Sequence, residues 1–207
     1  MTARRPWIAL LIPTALSAQA TPNGRLVGSA RGVDVPVEAA VAYLVPTRPL
    51  RIPLSQDTVV VDQLNLTFVP GLTVVQLGTT VDFANSDPVL HNVFSPNTPP
   101  FNLGLYPRTT SRQHRFTEPG AYVILCHIHP EMVAYVVVVP TPYHAMVDAE
   151  GHFAISDIPS GEYALHVWHW RSAKVVRPLQ IVAGQTTRVE VELRRPARGV
   201  PPTGAAR

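Results

Sequence analysis

The chain has 207 residues, 46% of them apolar, 15% charged and 22 of them proline, a composition that leaves ample apolar material for a core. Its formal charge of +3 includes Arg4 and Arg5; without them 15 basic residues face 14 acidic ones, and no interior basic cluster remains to bind nucleic acid. One cysteine excludes an internal disulfide, and many prolines among Val and Thr favour an all-β fold rich in turns.

Residues 1–20 read as a cleaved secretory signal peptide. Arg4 and Arg5 form the charged start, Trp7 to Leu16 the apolar run, and Ser17-Ala18-Gln19-Ala20 the small-x-small cut site. That run is too short to span a membrane, and no later stretch approaches the roughly 18 uninterrupted apolar residues a span needs. The expected mature chain starts at Thr21, lacks a membrane span, and resides in the periplasm or another extracytoplasmic space.

Two strands are expected between Asn23 and Val45, at Leu26-Val27 and along the alternating Val37, Ala39, Val41, Tyr43 and Val45. Pro46 and Pro49 then open a connector. From Thr58 shorter candidates follow at Val59–Val61, Leu64–Val69, Thr73–Leu77 and Thr80–Phe83, a spacing that suits a β-sandwich. Asn97 to Pro107, with Pro99 and Pro100, reads as a long irregular loop. Arg112–Phe116, Ala121–Leu125 and Met132–Val139 complete this unit, and no segment reads as a credible helix.

Beyond Pro140, five more strands are expected at Tyr143–Val147, His152–Ile155, Gly161–Trp168, Val175–Ile181 and Thr186–Leu193. Their edges need partners, and the first two strands lack a sheet. Residues 21–48 are therefore expected to complete a small sandwich with residues 141–193, with residues 55–140 inserted as a second sandwich. Residues 194–207, a Pro/Gly/Arg tail without apolar periodicity, are expected to be disordered.

The chemistry concentrates in Gly120 to Val139, GAYVILCHIHPEMVAYVVVV. Cys126, His129 and Met132 fall in a C-x2-H-x2-M pattern on a short turn between two apolar runs, with Pro130 stiffening it. Thiolate, imidazole and thioether together suit a type 1 copper centre, which also needs a second imidazole. His91 in NSDPVLHNVFS supplies it, provided the two strands are neighbours in one sandwich. Asn92 fits a supporting role, hydrogen-bonding the cysteine sulfur through its backbone or side chain and tying the two halves together. Phe94, Met132 and the following valines would keep water out. A lone buried cysteine is commonly a small hydrophobe, and a nearby methionine can be core filler; the joint pattern is what favours a metal.

His127 cannot face the same centre as Cys126 if the strand persists, because neighbouring strand residues point to opposite faces. It is expected at the surface or core edge. Glu131 is a candidate carboxylate for a nearby imidazole or a partner protein, or else a solvated loop residue. His144, His152, His166 and His169 are expected to serve packing or surface roles, with a secondary, weak copper site as the alternative. No G-x-S-x-G or H-E-x-x-H motif occurs, and four ligands leave no position for a substrate. The chain is expected to be an electron carrier and not an enzyme; copper storage, delivery or sensing is the alternative, and a docking protein with incidental copper a third reading.

Residues 58–140 resemble the cupredoxins, the plastocyanin/azurin class of blue copper proteins, with a ligand loop similar to that of amicyanin. The resemblance implies that His91 is the first copper histidine, Cys126 the thiolate, His129 the second histidine and Met132 the axial thioether of one type 1 copper ion. Residues 141–193, from GHFAISDIPSGEYALHVWH, resemble a carboxypeptidase-regulatory-like, transthyretin-like sandwich. The joined arrangement resembles exported bacterial proteins labelled methylamine-utilisation or plastocyanin-like. It implies a monomer that meets a redox partner protein.

Overall fold

The computed structural model describes residues 23–97 and 99–197. The expected signal peptide and residues 198–207 of the expected tail lie outside the described residues. Every regular element is a strand: β1 (Gly24–Val33), β2 (Val41–Pro46), β3 (Thr58–Leu64), β4 (Thr67–Val69), β5 (Leu72–Gln76), β6 (Thr80–Asn85), β7 (His91–Ser95) and β8 (Phe101–Tyr106). Then come β9 (Ser111–Arg115), β10 (Gly120–Leu125), β11 (Val133–Val139), β12 (His144–Met146), β13 (His152–Ile158), β14 (Gly161–Trp168), β15 (Val175–Ile181) and β16 (Thr186–Arg194). The protein is all-β.

Two sheets come from the ends of the chain and two from its middle. The outer strands form β13-β1-β16 and β12-β2-β14-β15; the middle strands form β4-β3-β6-β9 and β5-β11-β10-β7-β8. Alternation explains the middle pair: β6 reads half-buried, buried, half-buried, buried along its length, as expected of a strand with one face in a core. Leu26, Leu44, Ile158, Leu165 and Leu193 fill the core of the outer strands. Val61, Phe83, Phe116, Tyr122 and Ile124 fill that of the middle strands.

The chain leaves the outer sheets after β2 and returns at β12, and the two crossings are side by side. Thr141 Oγ1 donates to the Leu44 carbonyl at 2.7 Å, and the Leu44 N–H donates to the Tyr143 carbonyl at 2.9 Å. This contact lets nine strands sit between β2 and β12 without disturbing their pairing, His144 against Tyr43. A third apolar cluster joins the two sets: Val41 and Trp168 from the outer strands pack with Val137 and Val139 of β11.

Several elements differ from the sequence expectation. The strand expected from Val37 begins only at Val41, because Asp34 and Ala39 take positive φ angles of 65° and 63° and break the extended run. The stretch Leu64–Val69 is a hairpin, not one strand. Asn65 and Leu66 turn the chain with φ of 54° and 58°, the geometry of a two-residue loop between twisted strands. Left-handed backbone costs a leucine about 1–2 kcal/mol, so something must hold Leu66 there. The region expected as irregular contains β8, which pairs with β7 from His91 against Tyr106 to Ser95 against Phe101. Phe101, Leu103 and Leu105 alternate as in a strand, but at Gly104, φ 73°, the register shifts, so that Leu105 is exposed and Tyr106 buried. Arg194, assigned to the tail, ends β16 opposite Val33.

Gly28 in β1 shows how tightly the outer core is packed. A Cβ at this position would stand 2.0 Å from the Phe153 ring, and that ring is itself buried. Gly28→Ala is expected to destabilise the protein by about 1–3 kcal/mol through overpacking. Chemical denaturation of the variant would show a lower midpoint at unchanged slope.

Candidate metal centre

The site forms at one end of the five-stranded sheet, where β7 and β10 are neighbours and Phe94 pairs with Leu125. His91 opens β7, whereas the sequence suggested a position just past a strand. Cys126 follows the last residue of β10, and Met132 precedes the first of β11. The connecting loop is closed by the Met132 N–H donating to the His129 carbonyl at 3.0 Å. Pro130 occupies the second position of that turn, where its fixed φ is already suitable.

Three side chains converge. His129 Nδ1 lies 3.0 Å from His91 Nδ1 and 3.7 Å from Cys126 Sγ. The donor atoms of His91, Cys126 and His129 all lie within 4.8 Å of one another, the one such group of metal-ligating side chains among the described residues. A first-row ion at about 2.0 Å from nitrogen and about 2.3 Å from sulfur spans N···N and N···S separations of this size. His91 is fully buried and Cys126 is 4% exposed, while His129 is half-buried and forms the edge of the cluster nearest solvent. Met132, 1% exposed, belongs to the same apolar cluster as Cys126. Two imidazoles and a thiolate form a soft, nitrogen- and sulfur-rich donor set of the kind that suits copper.

Asn92 ties the two halves of the site through the backbone. Its Oδ1 accepts the His127 N–H at 3.4 Å, and its Nδ2 donates to Asn102 Oδ1 at 2.8 Å. Both bonds bypass the cysteine sulfur suggested by the sequence. His127 points away from the cluster and stacks on Phe94, ring centres 3.7 Å apart, at the surface. Glu131 is exposed.

The remaining histidines stay apart from this group. His166 stacks on Tyr43 at 5.0 Å, while His169 Nδ1 accepts the Arg171 N–H. His114 stacks on Phe101 at 3.8 Å, and burial lowers its pKa.

Sequence reasoning missed Asp87. This carboxylate is 3% exposed, and Oδ2 lies 2.8 Å from His91 Nε2, on the side of the ring opposite the cluster. Burial pushes its pKa up, but the Leu66 N–H, the His91 ring and the Asn65 N–H outweigh that and hold it below the ordinary value. The signal available in the sequence was an acidic residue four positions before a candidate ligand, which alone says little.

No protein-family model and no curated protein sequence matches the chain. Among solved structures it is similar to a reduced tryptophan-to-tyrosine variant of amicyanin, at 26% identity and TM-score 0.39 over 42% of this chain and 86% of that one. A Cu(I) methionine-to-alanine variant of amicyanin matches at 26% identity and TM-score 0.38 over 40% and 82% of the two chains. A reduced proline-to-phenylalanine variant matches at 22% identity and TM-score 0.38 over 47% and 99%. Each likeness covers less than half of this chain.

Proposed function

We propose that the protein is an exported type 1 copper protein that carries single electrons by Cu(II)/Cu(I) cycling, with His91, Cys126, His129 and Met132 as ligands. The observation that carries the reading is the convergence of two imidazole Nδ1 atoms and one thiolate within 4.8 Å, in surroundings that are largely buried. Donors fixed by β7 and by the closed loop between β10 and β11 would need little rearrangement on changing oxidation state, which favours outer-sphere transfer. Copper would supply the redox couple; the protein supplies fixed donors and excludes water.

His129 is the half-buried edge through which an electron would pass. The residues beside the ligands in sequence, Val89, Leu90 and Ile128, are 43%, 48% and 46% exposed, an apolar surface on which a redox partner protein can dock transiently. The region of residues 55–140 would then be the carrier, and the outer sandwich would help select the partner. Signal cleavage after Ala20, extracytoplasmic residence and a monomeric, non-enzymatic mode of action belong to the same proposal.

Copper titration of the apo-protein tests this. The expected result is one equivalent bound, an intense visible thiolate-to-copper charge-transfer band, and a reversible one-electron couple. Tight binding with no such band would overturn the type 1 assignment. Ready loss of Cu(I) to a competing chelator would favour copper storage or delivery instead.

A further inference from the structure

We propose that Asp87 is a positioning residue for the metal: it fixes His91 as an Nδ1 ligand, strengthens it as a donor to the oxidised ion, and couples the centre to the β3–β4 turn. The inference deepens the copper reading above and rests on it.

An ionised carboxylate only accepts hydrogen bonds. With Asp87 Oδ2 at 2.8 Å, His91 Nε2 therefore carries the ring proton, and the free lone pair lies at Nδ1, the atom facing His129. The carboxylate has little freedom to turn away. Oδ1 accepts the Asn65 N–H at 2.6 Å, and Oδ2 accepts the Leu66 N–H at 2.9 Å as well as the ring. These two amides belong to the left-handed residues of the β3–β4 turn, so one side chain holds both the turn and the ligand. Asp87 is anchored in its turn: its own N–H donates to Asn85 Oδ1 at 2.9 Å, and Asn85 Nδ2 donates to the Val89 and Tyr106 carbonyls. Carboxylate partners of ligating histidines orient the ring and raise its basicity, and a more basic ligand favours the higher charge of Cu(II).

Asp87→Asn tests the proposal, because an amide nitrogen must now face either the Asn65 N–H or both the Leu66 N–H and His91. Facing His91 it would make Nε2 an acceptor and put the proton on Nδ1, in competition with the metal. The copper-loaded variant should keep its charge-transfer band, bind Cu(II) about 10–100-fold more weakly, and have a higher reduction potential. Each tenfold loss confined to the oxidised state corresponds to about 59 mV for a one-electron couple. An unchanged potential and Cu(II) affinity in Asp87→Asn, with a normal wild-type band, would overturn this inference and leave the copper reading intact. A wild type without the band would instead overturn the copper reading. Nitrogen-15 NMR of the wild-type apo-protein gives a second measurement that does not depend on the variant folding. It should show an exchange-protected proton on His91 Nε2, and a proton on Nδ1 in its place would refute the proposal.

Discussion

Cys126→Ala is expected to abolish the visible charge-transfer band completely and to weaken copper binding by more than the roughly 10–100-fold that loss of an outer hydrogen-bond partner costs. The reason is chemical and not architectural. Cys126 is the single cysteine of the chain, so no other side chain can supply a thiolate. Two imidazoles and a buried methionine remain, a set that can still hold copper weakly but cannot give the intense thiolate-to-copper charge transfer. Removing one small buried sulfur should cost the apo-fold only about 1 kcal/mol. Spectroscopy and thermal melting should therefore separate: the band vanishes while the apo-protein's melting temperature moves by a few degrees at most. A band that survives in this variant would show that the thiolate is not a ligand and would dismantle the site.

Trp168→Ala is expected to produce the largest loss of stability among single substitutions at the seam between the two sets of sheets. Trp168 is 5% exposed and meets Tyr135 of β11 edge-on, ring centres 5.4 Å apart at 61°. It also packs in the cluster of Val41, Val137 and Val139 that covers the outer face of the five-stranded sheet. Truncating a buried tryptophan costs about 3–5 kcal/mol. Because this cluster joins strands of both sets, the loss should fall on their association as well as on total stability. Calorimetry should show one unfolding transition in the wild type, and in the variant a lower, broadened or split one. A variant that melts as one sharp transition near the wild-type temperature would mean that the seam contributes little.

The two predictions bear on different levels of the same molecule. Sequence made the first legible, since C-x2-H-x2-M names three donors on one short loop and the apolar runs on either side require strands. It also pointed to His91, because a second imidazole was chemically necessary and DPVLHN was the obvious place for one. The strand pattern of the outer unit was equally readable: β14 and β15 run over the residues expected from alternation alone. Where the buried face switches at Gly104 in β8, or a two-residue turn at Asn65 and Leu66 reverses the chain, the sequence pattern misleads, because backbone conformation and cross-strand pairing decide there.

What the sequence determined by itself was the chemistry: one thiolate, an imidazole three residues later, a thioether three beyond that, and an all-β chain to carry them. Tertiary structure decided what surrounds those groups. It brings His91 Nδ1 to 3.0 Å from His129, turns His127 outward onto Phe94, and sets a buried carboxylate behind His91. Alternation beside Cys126 already turned His127 outward, but its seat on Phe94 and the other two contacts do not follow from local spacing. Each depends on which strands become neighbours, and a hydrogen bond between Asp87 and the Leu66 amide, 21 residues apart, exists only once β3, β4 and the β6–β7 loop have met.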